Sequence, residues 1–276
     1  MLKKLDIAKK FIEKNNAFEC PICKKRLQLS NNSLKCEQKH TFNLSKKGTI
    51  NLINTSHLKE SLIYNKELFI NRRNFIKHNY YIGVYEYIAE TINKTELKEI
   101  SILDLGCGEA MHSINILNRL DKKYVYYGFD YSKDAISMAS DYNSESKIFF
   151  NADVNNIPIV DKSMNVIIDF LSPFNESEIK RVLCNNGLYI KISPGKEYLK
   201  ELRKALNINE YEKEEEVLNN LEEKFNIVDR KEIKNTFSVN DDEVKELIGM
   251  TPMKIENKNI TFNAITIDLN IYIIKR

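Results

Sequence analysis

The chain has 276 residues, 42% hydrophobic and 29% charged, with a net charge of +3. That balance fits a globular chain with one large α/β domain and a small appendage, and is too weakly basic to name a nucleic-acid partner by itself. No apolar run reaches membrane-spanning length, so no membrane partner is expected, and the charged start Met1 to Phe18 lacks the apolar core of a signal peptide, so a cytoplasmic protein is expected.

The strongest local signal comes early. Cys20, Cys23, Cys36 and His40 follow the spacing Cys-x2-Cys-x12-Cys-x3-His, which uses three of the five cysteines. An odd cysteine count at metal-ligand spacing points to a reducing compartment, not to a disulfide framework. Three thiolates and an imidazole suit tetrahedral Zn2+, and four protein ligands leave no open position, so the metal is structural. Between the ligand pairs, Leu27 to Leu34 reads as a hairpin with a polar turn. A second hairpin is expected around Lys46-Lys47-Gly48. Lys24, Lys25, Arg26, Lys35, Lys39, Lys46 and Lys47 cluster here, and a solvated face and an RNA-contacting one both remain open. His57 to Tyr64 reads as a linker.

From Lys66 to about Asn93 the pattern is helical and contains Arg72 and Arg73, either solvated or in contact with a phosphate or carboxylate. Ile100 to Leu105 is then a β-branched apolar strand that runs through Asp104 into Gly106-Cys107-Gly108. Close glycines let a ligand approach the backbone at a strand's carboxyl end. The third glycine of a dinucleotide fingerprint is absent, since Met111 stands there, and an acid beside the loop suits a cation better than a pyrophosphate. S-adenosylmethionine, with its sulfonium and ammonium, is such a ligand.

Two further strand ends carry acids. Tyr124 to Phe129 ends at Asp130-Tyr131, placed for the hydroxyls of a ribose; Ile148 to Phe150 leads to Ala152-Asp153, placed for an adenine amino group. A fourth strand, Asn165 to Leu171, ends in Ser172-Pro173-Phe174. There a rigid proline loop positions a target base, Phe174 is the expected stacking ring and Asp169 a candidate base. Asn185-Asn186-Gly187 is an expected turn before strand Leu188 to Ile192. A charged helical stretch follows from Glu197 to Phe225. Ile227 to Val239 and Ile260 to Ile274 form an expected antiparallel pair around a short helix. The fold expected is α/β, a Rossmann-like seven-stranded S-adenosylmethionine methyltransferase fold with a small N-terminal zinc-binding module. Its expected divisions are an extension (1–17), the zinc module (18–55), a linker with leading helices (56–98) and the methyltransferase domain (99–276).

The zinc ligands, Gly48-Thr49-Ile50-Asn51-Leu52, Arg72-Arg73, Leu103 to Glu109, Ser172-Pro173, Pro194-Gly195 and Met250-Thr251-Pro252 occur in this order along nearly the whole chain. In this the chain resembles the bacterial 23S rRNA (guanine-N1)-methyltransferases, which include macrolide-resistance enzymes. The resemblance implies zinc, S-adenosylmethionine, methylation of a guanine in a domain II hairpin of 23S rRNA, and a homodimer whose cleft receives the RNA. The chain departs from the family pattern at Ala110, usually glycine; at Leu62 to Asn65, usually containing Gly-Asp; at Asn185-Asn186-Gly187, usually Pro-Gly-Gly; and at Tyr198, usually histidine. Another RNA, a small-molecule substrate, or a non-catalytic RNA-binding role are the competing readings.

Overall fold

The computed structural model describes residues 3–54, 64–209, 211–252 and 260–276; most of the expected linker, including Leu62 and Ile63, lies outside them. The chain starts with helix α1 (Lys4–Asn15), which has Asp6 in its first turn and Lys14 in its last, favourable against the helix dipole. Its buried residues Ala8, Phe11 and Ile12 recur at helical spacing and form one apolar stripe.

The zinc module is a small antiparallel sheet of β1 (Gln28–Ser30), β2 (Ser33–Lys35) and β3 (Thr41–Asn43). The next turn forms where expected, closed by Ser45 and Thr49 backbone hydrogen bonds. Gly48 has φ +74°, and a Cβ there would lie 2.6 Å from the Lys4 carbonyl, so glycine is what lets α1 pack on this turn. The following strand, β4 (Ile50–Asn51), leaves the module and pairs in parallel with β7 (Lys147–Asn151).

The main sheet therefore has eight strands where seven were expected, the eighth being the module's own β4 at one edge. The other strands are β5 (Glu99–Leu105), β6 (Lys123–Asp130), β8 (Met164–Phe170), β9 (Leu183–Pro194), β10 (Asn226–Ser238) and β11 (Ala264–Lys275). Their order is β10-β11-β9-β8-β5-β6-β7-β4, parallel except for β11, which is antiparallel to both neighbours.

Strand alternation divides the core between the two faces of this sheet. Ile102, Val166, Ile168, Ile190 and Ile271 join one apolar cluster with α3 (Ile82–Asn93), α4 (Met111–Leu117) and α5 (Lys133–Ala139). Leu103, Ile167, Tyr189 and Tyr272 join the other, with α1, the zinc module, α6 (Glu176–Val182) and α8 (Glu214–Lys224).

Three expected elements are interrupted. The helical pattern from Lys66 forms α2 (Lys66–Ile76) and then α3, because Asn79 takes a left-handed φ of +65° between them. The charged stretch splits into α7 (Lys200–Ala205) and α8, with Asn207 at φ +52°. The expected turn at Asn185 to Gly187 is an excursion inside β9, where the register against β8 jumps from Leu183 to Leu188. The expected terminal pair forms as β10 and β11 around α9 (Asp241–Met250), which begins with a capping box between Asn240 and Glu243.

The N-terminal helix is part of the core. Phe11 packs edge-on against Tyr127 with centroids 5.1 Å apart, and Phe18 meets both Tyr127 and Phe150. Truncating a fully buried phenylalanine leaves a cavity as well as lost transfer energy. Phe11→Ala is therefore expected to cost about 3 to 5 kcal/mol, read as a lowered urea midpoint at unchanged m-value.

Candidate active site and zinc ribbon

The zinc ligands converge. Cys20 Sγ and Cys36 Sγ lie 3.5 and 3.4 Å from His40 Nδ1, Cys23 Sγ lies 3.7 Å from Cys36 Sγ, and all four donor atoms fall within 4.8 Å of one another. Those separations match the edges of a tetrahedron with Zn–S near 2.3 Å and Zn–N near 2.0 Å. The chain makes the knuckles by bending through left-handed Lys24 and Lys39, each just after or before a ligand. Lys24 N donates to Cys20 O and Lys39 N to Cys36 O, both at 2.9 Å.

At the carboxyl edge of the parallel strands is a cavity of about 900 Å³, lined among others by Asp104, Gly106, Cys107, Gly108, Asp130, Tyr131, Ala152, Asp153, Ser172 and Pro173. All eight expected cofactor residues thus face one space, although they come from three strand ends. Gly106 has φ +65°, and a Cβ there would meet Ser172 Oγ at 2.4 Å, so the loop and the end of β8 touch only because this residue has no side chain. Ala110 begins α4 at φ +73°, a conformation that costs an alanine on the order of 1 to 2 kcal/mol relative to glycine, the residue the family pattern has there.

The buried acids define what the cavity accepts. Asp104 is 1% exposed; its Oδ2 accepts from Ser113 Oγ and, at 2.7 Å, from the Tyr126 hydroxyl. Its Oδ1 has no hydrogen-bond partner among the described residues. Burial pushes this carboxyl up to about 6, opposed by the two hydroxyls. Glu109 is also buried with Oε1 unpaired among the described residues; desolvation raises it and the Arg72 charge counters. Asp130 accepts from Ser132 N at 2.7 Å and Gly108 N at 3.0 Å, which fixes its carboxylate at the cavity wall. Unpaired, dry carboxylates are costly unless a cation meets them. The donor set therefore fits the ammonium and sulfonium of S-adenosylmethionine.

Two expected residues stand elsewhere. Asp169 is fully buried behind the wall, with Lys191 Nζ at 2.8 Å, the Tyr189 hydroxyl at 3.0 Å and Ser172 N at 3.2 Å. Lys191 also donates to Ser172 O, so this ion pair fastens the loop after β8 and does not face a substrate. Phe174 is likewise not part of the lining. Its ring packs near Phe225, with Lys191 and Lys224 over its face at 5.5 and 5.8 Å. The chain turns at Leu171, with φ +57°; Ser172 and Pro173 line the cavity, and Phe174 packs, partly buried, against the apolar cluster on the other side.

Sequence reasoning did not assign a second group of lining residues to the site. Arg72, His112, Phe170, Tyr81 and Tyr198 all line the cavity. The Tyr81 and Tyr198 hydroxyls are 3.0 Å apart, bridging residues 117 positions apart in the chain. No local spacing announces such a contact. Arg72, within the Arg72-Arg73 pair, and Tyr198, where the family pattern has histidine, carried a signal.

Comparison with known proteins agrees with this geometry. Residues 96–251 match the family described as "Methyltransferase domain". Residues 18–61 match the one described as "RlmA, N-terminal", a zinc ribbon. A solved structure titled for the conversion of a disulfide bond into a thioacetal group during echinomycin biosynthesis shares the fold, with a TM-score of 0.50 at 14% identity over 71% of this chain and 83% of that one. The class is that of S-adenosylmethionine-dependent methyltransferases, here with a zinc ribbon at the sheet edge.

Among curated relatives, YxjB of Bacillus subtilis (strain 168), whose name places it with the 23S rRNA (guanine-N(1)-)-methyltransferases, is 37% identical over 197 residues, 68% of each chain. The 23S rRNA (guanine(748)-N(1))-methyltransferase of Streptomyces fradiae is 24% identical over 238 residues, 84% of each chain. The chain belongs to the RlmA-type 23S rRNA (guanine-N1)-methyltransferase family.

Asp104 sets a pH dependence. Its carboxyl, raised from an ordinary 3.8 to about 6, keeps its proton in the ligand-free fold until pH nears 6. Its contribution to ligand-free stability therefore declines as pH rises from 4 to 6, while a cationic ligand needs the ionised form. S-adenosylmethionine affinity is expected to strengthen by roughly tenfold between pH 5 and 7 and then level off. Asp104→Asn should weaken it by about 2 to 3 kcal/mol, on the order of a hundredfold, and flatten the slope, both read by titration calorimetry.

Proposed function

We propose that this chain transfers a methyl group from S-adenosylmethionine to N1 of a guanine in a 23S rRNA hairpin. The observation that carries the reading is the fixed placement of a basic zinc ribbon beside the cofactor cavity. Its β4 pairs with β7, the strand that leads to Ala152 and Asp153. Lys24 Nζ bonds Asn156 Oδ1 at 2.6 Å, and Asn156 Nδ2 bonds the Pro21 carbonyl at 2.9 Å. The seven lysines and arginines of the ribbon are all exposed, as phosphate contacts require.

The bound cofactor supplies the electrophilic methyl group on a sulfonium. Asp104 holds the positive end of the ligand, Asp130 is placed for ribose hydroxyls and Asp153 for an adenine edge. Ser172 and Pro173 stand at the strand end where a flipped base enters, held there by the Asp169–Lys191 pair. Asp169 acts on the reaction by holding that loop. The family resemblance further implies a homodimer. Among the described residues no helix is long and apolar enough to cross a membrane, and the free cysteines support a reducing, cytoplasmic setting.

The test is incubation with labelled S-adenosylmethionine and unmodified 23S rRNA, followed by primer extension. A single stop at a hairpin guanine is expected, because a methyl on N1 blocks base pairing. Lys25→Glu with Lys39→Glu should weaken RNA binding across sequences and reduce its salt dependence by about two phosphate contacts. Cofactor binding without transfer to any RNA would contradict the reading.

A further inference from the structure

His112 packs into the aromatic core on one side and lines the cavity on the other. It sits in the first turn of α4, and its ring stacks on Phe170 with centroids 4.0 Å apart and planes 16° from parallel. Tyr81 closes its flank edge-on at 4.9 Å. Its Nδ1 is 2.7 Å from the Tyr85 hydroxyl. Tyr85 is 1% exposed, and among the described residues that hydroxyl has no other hydrogen-bond partner. A buried hydroxyl hydrogen needs an acceptor, so Nδ1 accepts and the neutral ring carries its proton on Nε2. Nε2 has no hydrogen-bond partner among the described residues, while His112 lines the cavity together with Phe170, Ser172 and Pro173.

We propose that His112 is a catalytic residue whose Nε2–H donates a hydrogen bond to O6 of the target guanine. The inference rests on the guanine-N1 reading above. Methylation at N1 requires the N1–H proton to leave, here to water. The electron pair left on N1 forms the new N–CH3 bond, and the pair of the broken S–CH3 bond stays on sulfur. As the proton leaves, negative charge spreads from N1 onto O6. A preorganised donor at O6 stabilises that charge without itself giving up a proton.

The cavity is lined by the acids Asp104, Glu109, Asp130, Asp134 and Asp153 and by the cations Arg72, Lys133 and Arg203, and each acid near the base opposes negative charge on it. A neutral donor in the lining that also holds Phe170 and Ser172 stabilises that charge without adding a second cation beside the cofactor. Burial, with the Arg72 charge adding to it, holds His112 down to about 3, so the ring stays uncharged over the working pH range. A neutral imidazole donates to O6 without pairing with those acids or repelling the cationic cofactor.

The experiment compares wild type, His112→Phe and His112→Gln on an RNA hairpin carrying guanine or 6-thioguanine at the target. Phenylalanine keeps the stack on Phe170 but has no donor, and the glutamine amide restores one; each protein is also made with Tyr85→Phe, so that no buried hydroxyl is left without its acceptor. For His112→Phe the expected result is a kcat lower by about a hundredfold, with cofactor affinity and RNA KM within about twofold of wild type. His112→Gln should regain at least about tenfold of that loss. Sulfur is a poor acceptor, so the O6-to-S change should slow wild type by about tenfold or more and His112→Phe by less than about twofold. An unchanged kcat in His112→Phe, or an equal sulfur penalty in both proteins, overturns the proposal. If wild type itself methylates no guanine N1, the underlying reading has failed too, an outcome distinct from active wild type with an indifferent His112. Calorimetric cofactor binding on the same samples shows that each variant has folded its site.

Discussion

One carboxylate organises this molecule. Asp104 stands one residue before the end of β5, near the middle of the sheet, buried at the cavity wall, with one oxygen bound by Ser113 and Tyr126 and the other unpaired among the described residues. Ionising a carboxyl so placed costs stability, and a cation in the adjoining space offsets that cost. The elements around it make that placement hold. Ser113 comes from α4, which the Gly106 turn delivers to the edge of β5, and Tyr126 comes from the neighbouring β6. A cofactor with a positive charge on two atoms is what such a site selects.

The second organising feature is the way the zinc ribbon is joined. It is small and depends on its metal, yet it is no pendant module. Its last strand completes the main sheet, Gly48 lets its turn meet α1, and Phe11 and Phe18 carry the N-terminal segment into the same apolar cluster. Loss of metal in a ribbon so integrated is transmitted to the β7 edge, where Ala152 and Asp153 begin. The ribbon and the cofactor edge are thereby joined by the pairing of Ile50 with Phe150 and Asn51 with Asn151 and by the hydrogen bonds of Asn156 to Lys24 and Pro21.

What the sequence disclosed was what is local. The four zinc ligands, the glycine loop and the three strand-end acids each sit within a few residues of the element that positions them, and spacing was enough to bring the first to one cluster and the others to one cavity. The sequence misled where a single backbone torsion decides direction. Phe174 follows Ser172-Pro173 and reads as a stacking ring, but after the left-handed Leu171 it packs, partly buried, against the apolar cluster and outside the cavity lining. Asp169 reads as a base because it precedes that loop; only the packing of β9 shows Lys191 and Tyr189 closing over it. β4 was hidden for another reason, since two residues pairing with a strand a hundred positions away leave no pattern. The aromatic wall of Tyr81, Tyr85, His112 and Tyr198 is assembled from three helical regions and belongs to the same unreadable class.

The central claim, that a buried protonated Asp104 becomes the anionic anchor of the ligand, is tested most directly by counting protons. S-adenosylmethionine is titrated at pH 6 in two buffers of different ionisation enthalpy, for wild type and for Asp104→Asn. With the carboxyl near 6, wild type should release about half a proton more per ligand than the variant at pH 6, and close to a whole proton more at pH 5. Equal release from the two proteins at both pH values would contradict the account.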